Sequence, residues 1–170
     1  MSLTITNALP RDYPTIGQLM VDVYSNLPGF PSPKDQPAYY QMLANIGEFA
    51  TRESVELIIA KQEEKLLGVV VYIGDMKDYG SGGTATQEKN AAGFRLLAVK
   101  NEARGMGIGK KLTMECIERA RGSGLKQMII HTTESMKVAW GMYEKMGFKR
   151  SMDLDFDQSG LPVFGFRLRF

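Results

Sequence analysis

One stretch of the sequence carries most of the information about the fold. It reads Leu97-Ala-Val-Lys-Asn-Glu-Ala-Arg-Gly-Met-Gly-Ile-Gly-Lys-Lys-Leu112. An apolar run typical of a buried strand enters a turn with glycines at alternate positions, and an amphipathic helix follows at once. Because glycine has no Cβ atom, the main chain of such a turn can approach a ligand closely. The pattern therefore predicts a strand, a turn and a helix that can hold an anion at the helix N-terminus.

The composition of the turn favours a diphosphate. Its glycines are Gly105, Gly107 and Gly109. The first turn of the following helix offers free N–H groups and the positive end of the helix dipole. Arg104, Lys110 and Lys111 add cationic charge at the rim, where phosphate contacts are charge-assisted. The alternative is a helix start that merely tolerates glycine, although each glycine inside a helix costs up to about 1 kcal/mol.

Two common phosphate-binding patterns do not fit this turn. A P-loop needs a glycine five residues before Gly109 and a serine or threonine after Lys110, but the chain has Arg104 and Lys111 there. A dinucleotide fingerprint needs its third glycine at position 110, and it usually lies on the first strand–helix turn of a domain. The sequence therefore indicates another kind of phosphate ligand.

Length and composition predict a single domain over residues 1–170. The chain has 170 residues, of which 44% are hydrophobic and 24% charged, as is usual for a globular protein. One cysteine excludes an internal disulfide, and one cysteine with one histidine excludes most zinc sites, so no metal site is expected. A net charge of +2 is too balanced to indicate a nucleic-acid partner.

No segment suggests a membrane or an export signal. The N-terminal residues lack the basic and apolar regions of a signal peptide. The longest apolar run, at 66–73, is too short to cross a bilayer. We expect a cytoplasmic protein with no membrane partner.

Apolar periodicity predicts a series of helices and strands. Strands are expected near 4–8, 55–60, 66–73, 94–99, 127–131, 148–154 and 163–170, and helices near 12–24, 37–49, 106–121 and 135–146. Asp12 and Ser135 are the candidate N-caps of the first and last helices. The polar, glycine-rich segment 75–90 is expected to be a structureless loop, either functional or mobile. Together, these helices and strands predict an α/β (α+β) fold with helices on a mixed, mostly antiparallel sheet.

Two motifs together resemble one enzyme family. The turn matches Val99-x4-Arg104-Gly105-x-Gly107-Ile108-Gly109-x-x-Leu112, and a second match reads Ala139-Trp-Gly-Met-Tyr143-Glu144-Lys145-Met-Gly147-Phe148. Both, in this order and with a strand between them, resemble the GNAT (Gcn5-related) N-acetyltransferases. The resemblance is clear over about residues 93–150.

The resemblance implies acetyl-CoA as the cofactor. Main-chain groups of the turn would bind its pyrophosphate, beside the Arg104 side chain, and the pantetheine arm would pair with the end of the preceding strand. The cofactor-binding residues implied are Leu97, Ala98, Val99, Arg104, Gly105, Met106, Gly107, Ile108, Gly109 and Lys110. The reaction implied is direct attack by a primary amine on the thioester, with a main-chain N–H of the 97–99 strand stabilising the oxyanion.

The resemblance also implies a general acid but leaves the base open. Tyr143 matches the family position whose hydroxyl protonates the leaving thiolate; the alternative is an aromatic core residue. Many members carry a glutamate where this chain has Gly93, and an asparagine where it has Met136. The base could be an ordered water or one of three side chains, Asp75, Glu88 and His131.

Other candidate residues have structural explanations. Cys116 lies on the apolar face of its predicted helix, which indicates an inert core thiol instead of a nucleophile. Ser81 lacks the Gly-x-Ser-x-Gly frame of a nucleophile elbow. The family layout places the acceptor pocket at 25–37, the second helix and 72–90. Its aromatic side chains would be Phe30, Tyr39, Tyr40, Tyr72 and Tyr79, and Arg95 could pair with an acceptor carboxylate.

Three functions remain open from the sequence. The first is an acetyl-CoA-dependent N-acetyltransferase, and the second is an acyl-CoA-binding module without activity. The third, a nucleotide-dependent kinase, predicts stabilisation by ATP and Mg²⁺ instead of CoA. The partner would be a small-molecule or peptide amine, and a homodimer formed through an exposed terminal strand is a further expectation.

Overall fold

The computed structural model describes residues 2–170. The chain divides into two compact units. The first comprises the chain up to Val71 together with Leu96–Thr113, and the second comprises Tyr72–Arg95 and Met114–Phe170. The prediction of a single domain over 1–170 stays a prediction.

The predicted helices and strands are present in the predicted order, but the strand predicted at 148–154 is reduced to two residues, and 156–158 form a strand that was not predicted. The strands are β1 (Leu3–Asn7), β2 (Val55–Gln62), β3 (Lys65–Ile73), β4 (Ala91–Val99), β5 (Gln127–Thr132), β6 (Lys149–Arg150), β7 (Phe156–Gln158) and β8 (Leu161–Arg169). The α-helices are α1 (Tyr13–Ser25), α2 (Pro37–Ala44), α3 (Ile108–Gly122) and α4 (Lys137–Lys145). Short 3-10 helices lie at Pro10–Asp12, Ile46–Thr51, Met76–Asp78, Ala85–Gln87, Asn101–Ala103 and Met152–Leu154.

The strands pair in the order β1-β2-β3-β4-β5-β8-β6, and β7 pairs with β8. The pairs β1–β2, β5–β8, β6–β8 and β7–β8 are antiparallel, whereas β4–β5 is parallel. This confirms the predicted mixed, mostly antiparallel sheet. Within residues 2–170, none of the helices combines the length and the apolar character needed to span a bilayer.

Close packing in the first unit depends on glycines. A Cβ atom on Gly17 of α1 would lie 2.1 Å from the carbonyl oxygen of Ala44 at the end of α2, so the two helices meet without a side chain between them. A Cβ atom on Gly68 of β3 would lie 2.8 Å from Ile108, the first residue of α3. The start of α3 therefore packs directly against β3.

In the second unit, the C-terminal strand lies inside the sheet. β8 pairs with β5 from Gln127↔Arg169 to Thr132↔Phe164 on one side. On its other side it pairs with β6 and, nearer its start, with β7. The expectation of an exposed terminal strand is therefore wrong, because β6 and β7 cover that edge.

Several predicted boundaries need correction. The second helix ends at Ala44 instead of continuing to 49, and a 3-10 helix follows. Residue 47 is glycine, which is a poor helix former, and a Cβ atom there would lie 2.4 Å from the Tyr13 ring. Asp12 is the N-cap residue of α1, as predicted, but its carboxylate accepts from the N–H of Leu9, at 2.8 Å, instead of from the helix. The N-cap of α4 is Met136, without a side-chain hydrogen bond, and not Ser135.

The segment 75–90 is not structureless. It contains two 3-10 helices, Met76–Asp78 and Ala85–Gln87. Met76 and Tyr79 are each 1% exposed and Ala85 is fully buried. Apolar anchors at these positions hold the segment in the second unit in spite of its polar, glycine-rich composition.

Candidate active site

The predicted anion turn lies between β4 and α3. Gly105 and Gly107 have φ angles of +86° and +76°, a region that residues with side chains rarely adopt. The first hydrogen bond of the α3 ladder runs from the N–H of Lys111 to the carbonyl of Gly107, at 3.1 Å. The N–H groups of residues 108–110 lie before this first helical hydrogen bond and therefore have no acceptor within the helix.

The outer side of the turn is open. A Cβ atom on Gly105 or Gly107 would meet no heavy atom of residues 2–170 within 4 Å, so packing does not demand glycine at either position. Arg104 and Lys110 are exposed beside these glycines. The turn therefore combines unused N–H donors, the positive end of a helix dipole, cations and free space, which is what a diphosphate requires.

The strand that leads into the turn departs from regular geometry. Leu96 has a φ of +58°, in the left-handed region, although it lies within β4. Such a residue rotates the peptide groups beside it away from the ladder direction. The carbonyl of Leu97 accepts a hydrogen bond from the Tyr24 hydroxyl at 3.0 Å. Residues 97–99, which were predicted to pair with pantetheine, are therefore the reoriented part of β4, and the Leu97 carbonyl among them already accepts from Tyr24.

The parallel ladder between β4 and β5 is short. It joins Ala91, Ala92 and Gly93 to Gln127, Met128 and Ile129. β4 continues beyond this ladder to Val99, and β5 continues to Thr132.

Tyr143 lies in an aromatic cluster in the second unit. Its ring centroid is 5.7 Å from those of both Phe94 and Phe148, and the residue is 5% exposed. Burial raises the pKa of its phenol, and the nearby Cys116 and Tyr79 raise it further. Tyr143 is therefore protonated at neutral pH and can donate a proton. The packing fits the interpretation of Tyr143 as an aromatic core residue, and its role as general acid stays a prediction.

A second buried tyrosine contacts the only histidine of the chain. The hydroxyl of Tyr79 lies 3.0 Å from Nδ1 of His131, and the Nε2 of His131 lies 2.8 Å from the carbonyl oxygen of Leu154. Burial is the main cause that holds the pKa of His131 below its usual range. Burial also raises the pKa of Tyr79. Both groups are therefore neutral at pH 7.

The ring of Tyr79 explains the glycine at position 93. A Cβ atom on Gly93 would lie 2.6 Å from Cε1 of Tyr79 and 2.8 Å from the carbonyl oxygen of Ile129. Any side chain at this position would displace the tyrosine or the strand. Tyr79 therefore occupies the space beside β4 that a side chain at position 93 would enter.

Two of the candidate bases are engaged elsewhere. Asp75 is exposed and caps a 3-10 helix by accepting from the N–H of Lys77 at 3.1 Å. Glu88 forms an ion pair with Arg167, which also contacts Asp153. Of the three side chains proposed from the sequence, His131 is the one that is half-buried and hydrogen-bonded to a buried side chain, that of Tyr79.

The remaining candidates have structural roles. Cys116 is fully buried, as its helical position predicted. The hydroxyl of Ser81 donates to the carbonyl of Gly82 at 3.1 Å. Within residues 2–170 the structure contains no group of three or more His, Cys, Asp or Glu side chains that could hold a metal ion.

The predicted acceptor residues fall into two groups. In the first unit, Phe30, Tyr39 and Tyr40 form a chain of ring contacts with Tyr24, which was not predicted as an acceptor residue, at centroid distances of 5.5 to 6.5 Å. In the second unit, Arg95 donates to the carbonyl of Tyr79 at 3.0 Å. Its guanidinium carbon lies 5.8 Å from the centre of the Tyr79 ring.

Comparison with known families decides the identity of the fold. A model of the acetyltransferase (GNAT) family matches residues 19–148. The chain belongs to the GNAT acetyltransferase family. That match covers the turn and the Tyr143 motif, so the resemblance inferred from these motifs is confirmed.

Two GNAT relatives align with part of the chain. Human N-acetyltransferase 8B is 32% identical over 93 residues, which are 55% of this chain and 38% of that protein. YjgM, an uncharacterized N-acetyltransferase of Escherichia coli strain K12, is 33% identical over 84 residues, or 48% of this chain and 49% of that one. This chain therefore matches less than half the length of either relative.

Solved GNAT structures share the whole fold. PaiA N-acetyltransferase of Thermoplasma acidophilum, in complex with coenzyme A, has a TM-score of 0.78 at 18% identity, and the match covers 100% of both chains. A GNAT acetyltransferase of Staphylococcus aureus Mu50 has a TM-score of 0.74 at 16% identity over 99% of both chains. YncA of Salmonella typhimurium, with its cofactor acetyl-CoA, has a TM-score of 0.69 at 14% identity over 99% of this chain and 94% of that one.

Sequence reasoning missed three features of this GNAT site. The left-handed φ of Leu96 leaves no signal, because leucine is not a residue that marks such a conformation. Tyr24 fits the apolar face of α1 and gives no hint that its hydroxyl reaches Leu97. Tyr79 was expected only as pocket surface, since nothing local pairs it with a histidine 52 positions away.

Proposed function

We propose that this chain transfers an acetyl group from acetyl-CoA to a primary amine by direct attack of the amine in a ternary complex. The observation that carries the proposal is the open glycine turn, whose N–H groups and cations fit a diphosphate. Two proteins of the same fold, PaiA and YncA, hold coenzyme A and acetyl-CoA respectively, which supports the choice of cofactor.

The proposal assigns the cofactor to main-chain groups of the first unit. The N–H groups of Gly105, Gly107, Ile108, Gly109 and Lys110 would hold the pyrophosphate, with Arg104 beside them. The N–H of Met106, which the sequence also suggested, donates to the carbonyl of Ala103 at 3.3 Å. Main-chain groups of Leu97, Ala98 and Val99 would pair with the pantetheine arm. When bound, acetyl-CoA supplies an acyl group that its thioester bond activates toward amines.

The proposal gives Tyr143 the role of general acid. A phenol that burial keeps protonated can give its proton to the departing thiolate. Phe94 and Phe148 fix its ring by edge contacts, so the hydroxyl is held in one place. A main-chain N–H in the reoriented part of β4 would stabilise the negative oxygen that forms during attack.

Binding of CoA tests the turn. Gly107→Ala is compared with Gly124→Ala, because Gly124 has nearly the same φ, +77° against +76°, and is equally open. Both variants carry the same backbone strain, but only Gly107 lies in the turn. We expect calorimetry to show CoA affinity about tenfold lower for Gly107→Ala and unchanged for Gly124→Ala, because misplaced N–H groups lose charge-assisted hydrogen bonds. Equal affinities in both variants would refute the assignment of the turn.

Measurement of turnover distinguishes an acetyltransferase from an acyl-CoA-binding module without activity. Release of free thiol from acetyl-CoA is measured with a panel of alkylamines, amino acids and short peptides. Tyr143→Phe is expected to lower kcat by about 100-fold or more while CoA binding is retained. Tyr13→Phe, which removes a hydroxyl from a ring packed on Gly47, is the control. CoA binding without turnover on any amine would identify a binding module.

A thermal-shift screen distinguishes a protein that binds CoA from one that binds a nucleotide. A ligand at 100 times its Kd adds about 2.7 kcal/mol to the free energy of unfolding. Stabilisation by CoA and not by ATP with Mg²⁺ is the expected result. The reverse pattern would overturn the proposal in favour of a nucleotide-dependent enzyme.

A further inference from the structure

Four aromatic side chains of the first unit form one group of contacting rings, which we call the ring cluster. Its members are Tyr24 of α1, Phe30 of the loop after α1, and Tyr39 and Tyr40 of α2. Tyr24, Phe30 and Tyr39 all contact one another, with centroid distances of 5.5 to 6.5 Å. Tyr40 contacts Tyr39 at 5.7 Å. The four rings therefore form one continuous aromatic surface that joins α1 to α2.

The ring cluster has two buried members and two that solvent can reach. Tyr24 and Tyr40 are each 5% exposed, whereas Phe30 and Tyr39 are half-buried. The hydroxyl of Tyr40 donates to the carbonyl of Pro31 at 2.6 Å, which ties the loop to α2. Phe30 and Tyr39 therefore present partly exposed rings on a fixed support, and a ligand can contact them without any opening of the fold.

The hydroxyl of Tyr24 joins the ring cluster to the end of β4. It donates to the carbonyl of Leu97 at 3.0 Å, and both residues belong to the first unit. Leu97 is one of the residues to which the proposed function assigns the pantetheine arm. A molecule that contacts Phe30 is therefore separated from this part of β4 by a single tyrosine side chain.

The Leu97 carbonyl faces away from β3. The N–H of Lys100 donates to the carbonyl of Leu67 in β3, at 2.8 Å. Successive residues of an antiparallel strand present their main-chain groups to opposite sides, so Leu97, three positions earlier, presents its groups to the other side. On that side the paired part of β4 ends at Gly93. The Tyr24 hydroxyl therefore contacts β4 on the side where main-chain groups are left for a ligand.

The ring cluster favours an apolar group over a charged one. Aromatic side chains bind a cation over a ring face or inside a cage of rings, but rings this close pack against one another and leave no cage between them. Burial and, after it, the Asp35 carboxylate raise the pKa of Tyr40, so a negative charge lies near that ring. This carboxylate already accepts from the N–H and the hydroxyl of Ser32, at 3.2 and 2.9 Å.

We propose that the ring cluster binds an apolar or aromatic group of the acceptor, so that the preferred substrate is a primary amine that carries such a group a few bonds from its nitrogen. Phe30 and Tyr39 contact the group, and Tyr24 is a positioning residue that fixes the cluster relative to Leu97. The inference rests on the proposed acyl transfer and names the class of its acceptor. In that reaction the neutral amine forms a C–N bond, the C–S bond of the thioester breaks, and one amine proton ends on the CoA thiol.

A matched series of amines tests the class of acceptor. Butylamine is compared with three derivatives that carry a phenyl, a hydroxyl or an ammonium group at the far end of the chain. We expect kcat/KM of wild type to be about tenfold or more higher for the phenyl derivative than for butylamine, because removal of a phenyl group from water is favourable. Equal values across the series, or a preference for the hydroxyl or ammonium derivative, would overturn the inference while leaving the transferase intact.

Phe30→Ala tests where the phenyl group binds. Phe49→Ala is the control, because Phe49 is also a half-buried phenylalanine of the first unit and packs with Arg52, whose guanidinium carbon lies 4.8 Å from the ring centre. Phe30→Ala is expected to raise KM for the phenyl derivative about tenfold and KM for butylamine much less, whereas Phe49→Ala leaves both values unchanged. Tyr39→Leu, which keeps an apolar side chain on α2, is a second variant with the same expected selectivity. Equal changes for both amines in Phe30→Ala and Tyr39→Leu would show that the cluster is not the binding surface.

Tyr24→Phe tests the positioning role. It keeps the ring in the cluster and removes the donor to the Leu97 carbonyl. We expect kcat for the phenyl derivative to fall about tenfold while its KM and the Kd of CoA stay the same, because the acceptor still binds but is no longer held in register with the thioester. A purely structural role would change the free energy of unfolding and leave kcat of the folded enzyme unchanged, and that result would refute the assignment. Wild type that binds CoA and acetylates no amine would instead overturn the proposed function, and the inference with it.

Discussion

The two chemical regions of this GNAT chain are built in opposite ways. The glycine turn in the first unit is exposed and presents main-chain groups, with Gly105 and Gly107 open to solvent. The region around Tyr143 and Tyr79 in the second unit is buried and presents side-chain groups. An anion site needs donors that a ligand can reach, whereas an acid or a proton acceptor needs surroundings that set its protonation state.

The difference predicts how each region responds to change. Side chains can be altered at the turn with little effect on folding, because few contacts depend on them. In the second unit each ring contacts others, so a substitution there changes stability and chemistry together. Three measurements test this contrast.

The largest effect is expected for Phe148→Ala. Phe148 is 2% exposed and contacts the rings of Phe94 and Tyr143, with centroids 6.3 and 5.7 Å away. Truncation of a buried phenylalanine lowers the free energy of unfolding by about 3–5 kcal/mol. Met106→Ala, at a side chain of the turn that is 46% exposed, is expected to stay within about 0.5 kcal/mol. Urea denaturation measures both, and similar losses would contradict the contrast.

A smaller effect is expected when a methyl group is added to a glycine. Gly93→Ala places a Cβ atom 2.6 Å from the Tyr79 ring, and such overpacking costs about 1–3 kcal/mol. Gly105→Ala meets no atom of the described chain within 4 Å and adds only the strain of its φ, about 1–2 kcal/mol. The sharper difference lies in the ¹⁵N signals of His131, which we expect to change in Gly93→Ala alone. A shift in Gly105→Ala would show that the turn and the Tyr79–His131 pair are not separable.

The smallest effect is expected for the pH dependence of the free energy of unfolding. Burial holds the pKa of His131 below the value of about 6.5 that it has in an unfolded chain. Below that pH the unfolded state binds more protons, so the free energy of unfolding falls as pH falls, by at most about 1.4 kcal/mol per pH unit. His131→Gln is expected to lose this slope.

The carboxylates with shifted pKa values titrate below the pH range in which the slope due to His131 begins. Asp12, Asp153 and Asp155 have pKa values below their usual 3.8, so their contribution to stability is lost only under more acidic conditions. A slope near neutral pH that persists in His131→Gln would contradict the placement of the neutral histidine.

The turn could be predicted from the sequence because its information is local. Alternating glycines specify left-handed φ angles, and an amphipathic helix after them specifies where N–H groups are unsatisfied. The Tyr143 motif is likewise contiguous with its helix. The order of most strands and helices followed from apolar periodicity. Its errors lay at the ends of elements, as where α2 stops at Ala44, and at the short strand β7, which it did not predict.

The Tyr79–His131 pair could not be predicted, because its partners come from distant segments. Tyr79 follows a short 3-10 helix in a polar stretch, and His131 lies in β5. Polar composition indicated a loose loop, but three apolar anchors outweigh it once they are buried. Tertiary packing, which no local pattern encodes, also explains why Gly93 must be glycine.

The burial of Cys116 has a practical consequence. It is the only cysteine, and its side chain is fully shielded. A thiol-reactive dye added to the folded protein therefore counts only the CoA released by turnover. The same dye reports one thiol per chain once the molecule opens, so a single reagent follows both the reaction and the loss of native structure.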